Sequence, residues 1–177
     1  EAAWRLLSRG VRIALPIVEP SDRIGRVAPD GSWWISRGDV QLVAATDEPV
    51  ESVEVWADYS AGGAAPWAAH LVSDIGLPTG PSTVRSITLR IRGDESYHRI
   101  TPVLELNGRT YRTDTSIVLD DFAWHDYRLA LPGEGIPGDR SLYEDTESTR
   151  RSASADGRVT LILTPRSYSG VVMSKLS

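Results

Sequence analysis

Six tryptophans against one phenylalanine set the first chemical question, because an indole on a flat protein surface can stack on the face of a sugar ring. Between Ser52 and Tyr59 polar and apolar residues alternate. Val53, Val55, Ala57 and Tyr59 therefore share one face of a strand, and Glu54, Trp56 and Asp58 share the other. An aromatic between two carboxylates can hold a glycan by stacking and hydrogen bonding without doing chemistry on it. Trp67, beside Pro66 in a Gly- and Ala-rich stretch, is a second candidate contact. Trp34 is a third, since two consecutive tryptophans on a strand must face opposite ways. The expected ligand-binding residues are thus Trp56, Glu54, Asp58, Trp67 and Trp34.

The same carboxylates raise the question of hydrolysis. Glycosidases place two carboxyl groups roughly 5–9.5 Å apart, whereas Glu54 and Asp58, four residues apart on one strand, would stand about 13 Å apart. Glu105 would have to join one of them, so a glycoside hydrolase is the third reading and no catalytic residue is expected. His70, His98 and His125 fall in separate segments without ligand-pair spacing, and His125 and Asp126, adjacent on a strand, face opposite ways. Neither a Gly-x-Ser-x-Gly elbow nor a Gly-rich phosphate loop occurs. Asp120-Asp121, Asp139 and Glu144-Asp145 are the carboxylates a structural calcium would use, but their spacing matches no defined loop, and no cofactor is expected. With no cysteine, disulfides and thiol catalysis are excluded.

A net charge of −5 disfavours nucleic acid as a partner, and no apolar run approaches the roughly 18 residues that span a bilayer, so membrane insertion is not expected. At 177 residues, 41% hydrophobic and 24% charged, the chain reads as a single domain over residues 1–177. Its start at Glu1 suggests a segment or subunit of a larger protein or assembly.

The elements that must position these side chains are strands. Ala2 to Arg9 could form two helical turns, but elsewhere period-2 alternation dominates. It runs through Val11–Ile17 (bent at Pro16), Ile24–Val27 and Trp33–Ile35 around Pro29-Asp30-Gly31, Asp39–Ala45, Ser52–Tyr59, Val84–Arg92, Phe122–Leu131, Val159–Leu163 and Val171–Leu176. Leu104 to Tyr111 are two alternating strands joined by Asn107-Gly108, which suits a type I′ turn and pairs Leu106 with Arg109 and Leu104 with Tyr111. Ser60–Ser82 reads as a long connection with one helical turn near Trp67–Leu71, and Pro132–Gly157 as the main irregular segment. About nine strands without ordinary helices select an all-β, antiparallel β-sandwich.

Two families resemble parts of this pattern. Gly31-Ser32-Trp33-Trp34, Val40 to Asp47 and Val53-Glu54-Val55-Trp56 are similar to the opening strands of bacterial immunoglobulin-like repeats. Ile87-Thr88-Leu89-Arg90-Ile91 through Trp124 to Leu129 resembles the later strands of jelly-roll carbohydrate-binding modules. Each covers a quarter to a third of the chain, and both imply a sandwich, with the jelly-roll layout preferred. The function expected is a non-catalytic binding module, extracellular or virion-associated, that takes a glycan or host-surface receptor in adhesion. The alternative is a structural subunit of a phage tail or cell-surface assembly, contacting other protein subunits and no small ligand.

Overall fold

A computed structural model describes residues 11–20, 33–38, 40–45, 52–57, 68–76, 84–149 and 157–164. The described residues are all-β, with thirteen strands and a single helical turn at Thr146–Thr149. The first six strands are β1 (Val11–Ala14), β2 (Ile17–Pro20), β3 (Trp34–Arg37), β4 (Val40–Ala45), β5 (Ser52–Ala57) and β6 (Ala69–Asp74). The remainder are β7 (Val84–Arg92), β8 (Arg99–Leu106), β9 (Arg109–Thr113), β10 (Ile117–Val118), β11 (Trp124–Ala130), β12 (Arg140–Glu144) and β13 (Arg158–Thr164). The expected helix at Ala2–Arg9, the turn at Pro29-Asp30-Gly31 and the strand at Val171–Leu176 lie outside the described residues.

The strands do not form the two-sheet sandwich of nine strands expected from the alternation. They hydrogen-bond in one path, β3-β6-β13-β8-β9-β12-β11-β7-β1-β5-β4, with β10 added to β8 and β2 to β7. The path curls into a nearly closed barrel, because its two ends, β3 and β4, are consecutive in sequence with only Gly38 and Asp39 between them. Alternation reports that each strand has one buried face, and a curled sheet meets that requirement as well as two stacked ones. The deciding element is β12, inside the stretch expected to be irregular. It pairs antiparallel with β9 (Leu142↔Thr113) and parallel with β11 (Leu129↔Arg140, Ala130↔Ser141), so it joins two arms that would otherwise be separate. Every other pairing among the described strands is antiparallel.

The inner face holds one hydrophobic cluster drawn from both arms. Ile13, Ile87 and Leu89 meet Leu71, Ile100 and Leu161 there, all fully buried. Each such side chain contributes roughly 1.5–3 kcal/mol relative to exposure. Trp33 settles the question of which consecutive tryptophan is core: it is 4% exposed, and its Nε1–H donates to the Ala14 carbonyl at 3.1 Å. That bond ties the entrance of β3 to β1, two strands far apart along the path. The connection expected at Ser60–Ser82 instead contains β6, whose Ala69, Leu71 and Ser73 pack inward; a small residue and a serine on the buried face hide the alternation. Pro16 interrupts the first strand as expected, leaving β1 and β2 on either side of Leu15-Pro16.

Two glycines with left-handed φ meet different constraints, one at an open turn and one at a close approach. The β8–β9 hairpin turns at Asn107 and Gly108 with φ of 49° and 74°, and its register is the one the sequence predicts, Leu106↔Arg109 and Leu104↔Tyr111. A side chain at Gly108 would meet nothing within 4 Å, whereas at Gly38 (φ +99°) a Cβ would stand 2.5 Å from the Ala68 carbonyl oxygen and 2.7 Å from the Ala69 Cα. Gly108→Ala is therefore expected to cost about 1–2 kcal/mol, the left-handed backbone alone. Gly38→Ala adds a clash with the backbone of β6 and should cost about 3 kcal/mol or more. Urea midpoints of the two variants check this; equal losses would mean the β3–β4 corner is not held against β6.

Candidate functional site

Trp34 stands on the outer face of the first arm. Its neighbour Ile35 pairs with the fully buried Leu71, so Ile35 faces the core and Trp34, paired with Val72, faces away; it is 37% exposed. On the same face Arg158 lies between two cross-strand carboxylates, Asp74 on β6 and Glu105 on β8. Its Nε–H donates to Asp74 Oδ1 at 2.8 Å, and its guanidinium sits 5.6 Å from the centre of the Trp34 ring. The hydrogen bond to Asp74 pushes the Arg158 pKa up further, against a smaller opposing effect of burial, so the cation is permanent. An ion pair this exposed is worth at most about 1 kcal/mol. Its consequence is orientation: the charge is parked against the indole, which the stacking favours by roughly 0.5–1 kcal/mol.

The other predicted ligand contacts are less visible. Glu54 and Trp56 belong to β5, where Val55 is buried and Val53 packs on the core, but the side chains of Glu54 and Trp56, and all of Asp58 and Trp67, lie outside the described residues. β5 is separated from β3 by β4 alone, since the path's ends approach. Glu105, the carboxylate considered for hydrolysis, is on a strand six places from β5 along the path and faces Arg158. Of the carboxylates considered for calcium, Asp139, Glu144 and Asp145 each pair with an arginine. Asp139 pairs with Arg128, Glu144 with Arg109 at 3.5 Å and Asp145 with Arg112 at 2.7 Å. Among the described residues no three His, Asp or Glu side chains form a group able to hold a metal ion. Two Ser148 groups, the backbone N–H and the hydroxyl, donate to Asp145, hold its pKa below the usual carboxylate range and cap the helical turn.

A second cluster, which the sequence did not single out as a site, lies at one rim of the barrel. The segments 93–98 and 119–123 are laced together there. Tyr97 N–H donates to the Leu119 carbonyl (2.9 Å), Leu119 N–H to that of His98 (3.0 Å), and Arg92 Nε–H to that of Phe122 (2.9 Å). Glu95 and Tyr97 hold left-handed φ angles of 55° and 58°, a conformation costing non-glycine residues about 1 kcal/mol or more each. This frame sets Asp121, whose Oδ2 is 2.6 Å from His125 Nε2 and whose Oδ1 accepts the Ala123 N–H at 2.9 Å. His125 and Tyr127, two residues apart on β11, share the inner face, paired with Ile91 and Leu89, and their rings lie 6.0 Å apart. From the start of β12 the Arg140 guanidinium covers the Tyr127 ring at 5.4 Å and donates from Nη1 to Thr115 Oγ1 at 2.8 Å. Burial raises the Tyr127 pKa, Arg140 opposes that, and Asp120 and Asp121 add to it.

Sequence reasoning missed Arg140, Thr115, Arg158 and Asp74. Alternation on β11 does place His125 with Tyr127, and alternation on β13 places Arg158 away from Val159; no local pattern marks Arg140 or Thr115. No protein-family model, no curated protein and no solved structure matches this chain.

The Asp121 carboxyl titrates below its ordinary value, chiefly because of the His125 hydrogen bond and next because of the Ala123 N–H. A depressed carboxyl stabilises the fold above the usual Asp range of about 3.9 and loses that contribution as the pH falls through its own lower midpoint. In a carbon-detected NMR titration the Asp121 midpoint should lie below about 3.9, and His125→Ala should move it upward. A midpoint unmoved by that substitution would assign the effect to the backbone alone.

Proposed function

We propose that this chain is a non-catalytic binding module that recognises glycans, in an extracellular or virion-associated setting. The observation that carries the reading is Trp34: an indole 37% exposed on an outer sheet face, where Arg158 stacks on it and Asp74 and Glu105 flank that cation. A preorganised aromatic beside hydrogen-bonding charged groups suits a sugar ring, which offers one apolar face and a rim of hydroxyls. Arg158 also pairs with Asp74 and lies opposite Glu105 in the sheet register, which places a cation between these two carboxylates.

A structural subunit of a phage tail or cell-surface assembly is the second reading. On that reading neighbouring subunits would cover exposed apolar side chains such as Val43 (48%), Tyr143 (48%) and Ile136 (56%). Sedimentation velocity separates the two, since the subunit reading expects self-association and the binding-module reading a monomer that retains glycan affinity.

On a printed glycan array and in titration calorimetry with the best hit, Trp34→Ala should weaken binding by about 2 kcal/mol, near 30-fold, as for an aromatic hot spot. Folding stability should fall by no more than about 1 kcal/mol, because a surface side chain leaves little cavity. Retained affinity with a large stability loss would make Trp34 a packing residue and remove the support for this reading.

A further inference from the structure

We infer that Arg140, His125, Tyr127 and Thr115 form a subsite for the carboxylate of an acidic sugar. The Arg140 guanidinium is fixed from two directions, by the Tyr127 ring beneath it and by Thr115, whose hydroxyl and carbonyl both accept from Nη1 (2.8 and 3.4 Å). Most arginines described in this chain meet a carboxylate: Arg85 pairs with Glu134, Arg90 with Asp126, Arg112 with Asp145 and Arg158 with Asp74. Arg140 has no carboxylate partner among the described residues. Its Nε–Nη2 edge keeps two parallel N–H donors, the geometry that a planar carboxylate accepts in bidentate fashion.

The rest of the cluster selects among anions. Asp120 and Asp121 place negative charge around Tyr127, and a phosphate or sulfate dianion would meet both. A monoanion meets half of that repulsion and still fills the fork. His125 adds a hydroxyl-sensing group. The contact with Asp121 engages Nε2, and Nδ1 is the other ring nitrogen, the atom through which His125 would meet a ligand hydroxyl. A uronic acid or related sugar acid supplies both groups, one carboxylate and adjacent hydroxyls, on one rigid ring. Backbone strain at Glu95 and Tyr97, in the segment bonded to the one carrying Asp121, is the kind of local cost that persists where surrounding structure holds a site in place.

This inference rests on the glycan reading for its ligand class but uses different residues from the Trp34 face, so the two can fail separately. The test is titration of the protein with D-glucuronate, followed by two-dimensional NMR of the arginine Nε–Hε and histidine ring signals, with D-glucuronamide, D-glucose, sulfate and a short peptide with a free C-terminal carboxylate as comparison probes. Glucuronate should shift the Arg140 and His125 signals and bind at least tenfold more tightly than its neutral amide or glucose. Arg140→Met should remove that difference, His125→Gln should weaken glucuronate severalfold, and Arg109→Met, at a surface arginine outside both sites, should leave it unchanged. Equal affinity for glucuronate and glucuronamide on the unmodified protein overturns the inference even if Arg140→Met fails to fold. Sulfate or the peptide binding as tightly as glucuronate overturns it too, as would shifts confined to the Trp34 and Arg158 signals.

Discussion

Everything described here depends on how a sheet with one apolar face disposes of its edges. At one side the problem is solved by β12, which contributes a single deeply buried side chain, Leu142, yet hydrogen-bonds to β9 and β11 at once. Its approach is fixed by Asp139, which pairs with Arg128 on β11 and accepts the Ile136 N–H. At the other side the solution is a side chain: Trp33 fills the core between the ends of the path and hydrogen-bonds to the backbone of β1. Both candidate sites hang on these two closures. Trp34 faces outward because Trp33 faces in, and Arg140 reaches Tyr127 because β12 starts beside β11.

Much of the fold was legible in the sequence, and the misses share a cause. Strands announce themselves through alternating side chains of contrasting polarity, as β13 does throughout and β7 does from Ile87 onward. β6 buries Ala69, Leu71 and Ser73, so its inner face looks neither large nor uniformly apolar, and β12 has one core residue between polar neighbours. Strands of that kind are stabilised by where they are, and position is a tertiary property. Whether two arms stack as separate sheets or join as one is likewise settled by a two-residue parallel pairing that leaves no trace in composition.

The sites follow the same division. Trp34 could be found because consecutive tryptophans on a strand must divide between inside and outside. Arg158 could be placed on the outer face by alternation, but its meeting with Asp74 spans 84 positions and needed the sheet order. The rim cluster draws Thr115, Asp121, His125, Tyr127 and Arg140 from three stretches that only the curl of the sheet brings together. Asp139, Glu144 and Asp145, which resembled calcium ligands by type, each pair with an arginine.

The place of β13 also constrains how the polypeptide emerges from the ribosome. It is the last described strand to be made, yet it sits between β6 and β8, forming seven backbone pairings with one and six with the other. Until residue 164 leaves the exit tunnel, those two strands are complete and both expose an unsatisfied row of N–H and C=O groups above apolar side chains. Vectorial synthesis therefore leaves a nearly complete chain with two open strand edges until β13 arrives to close both.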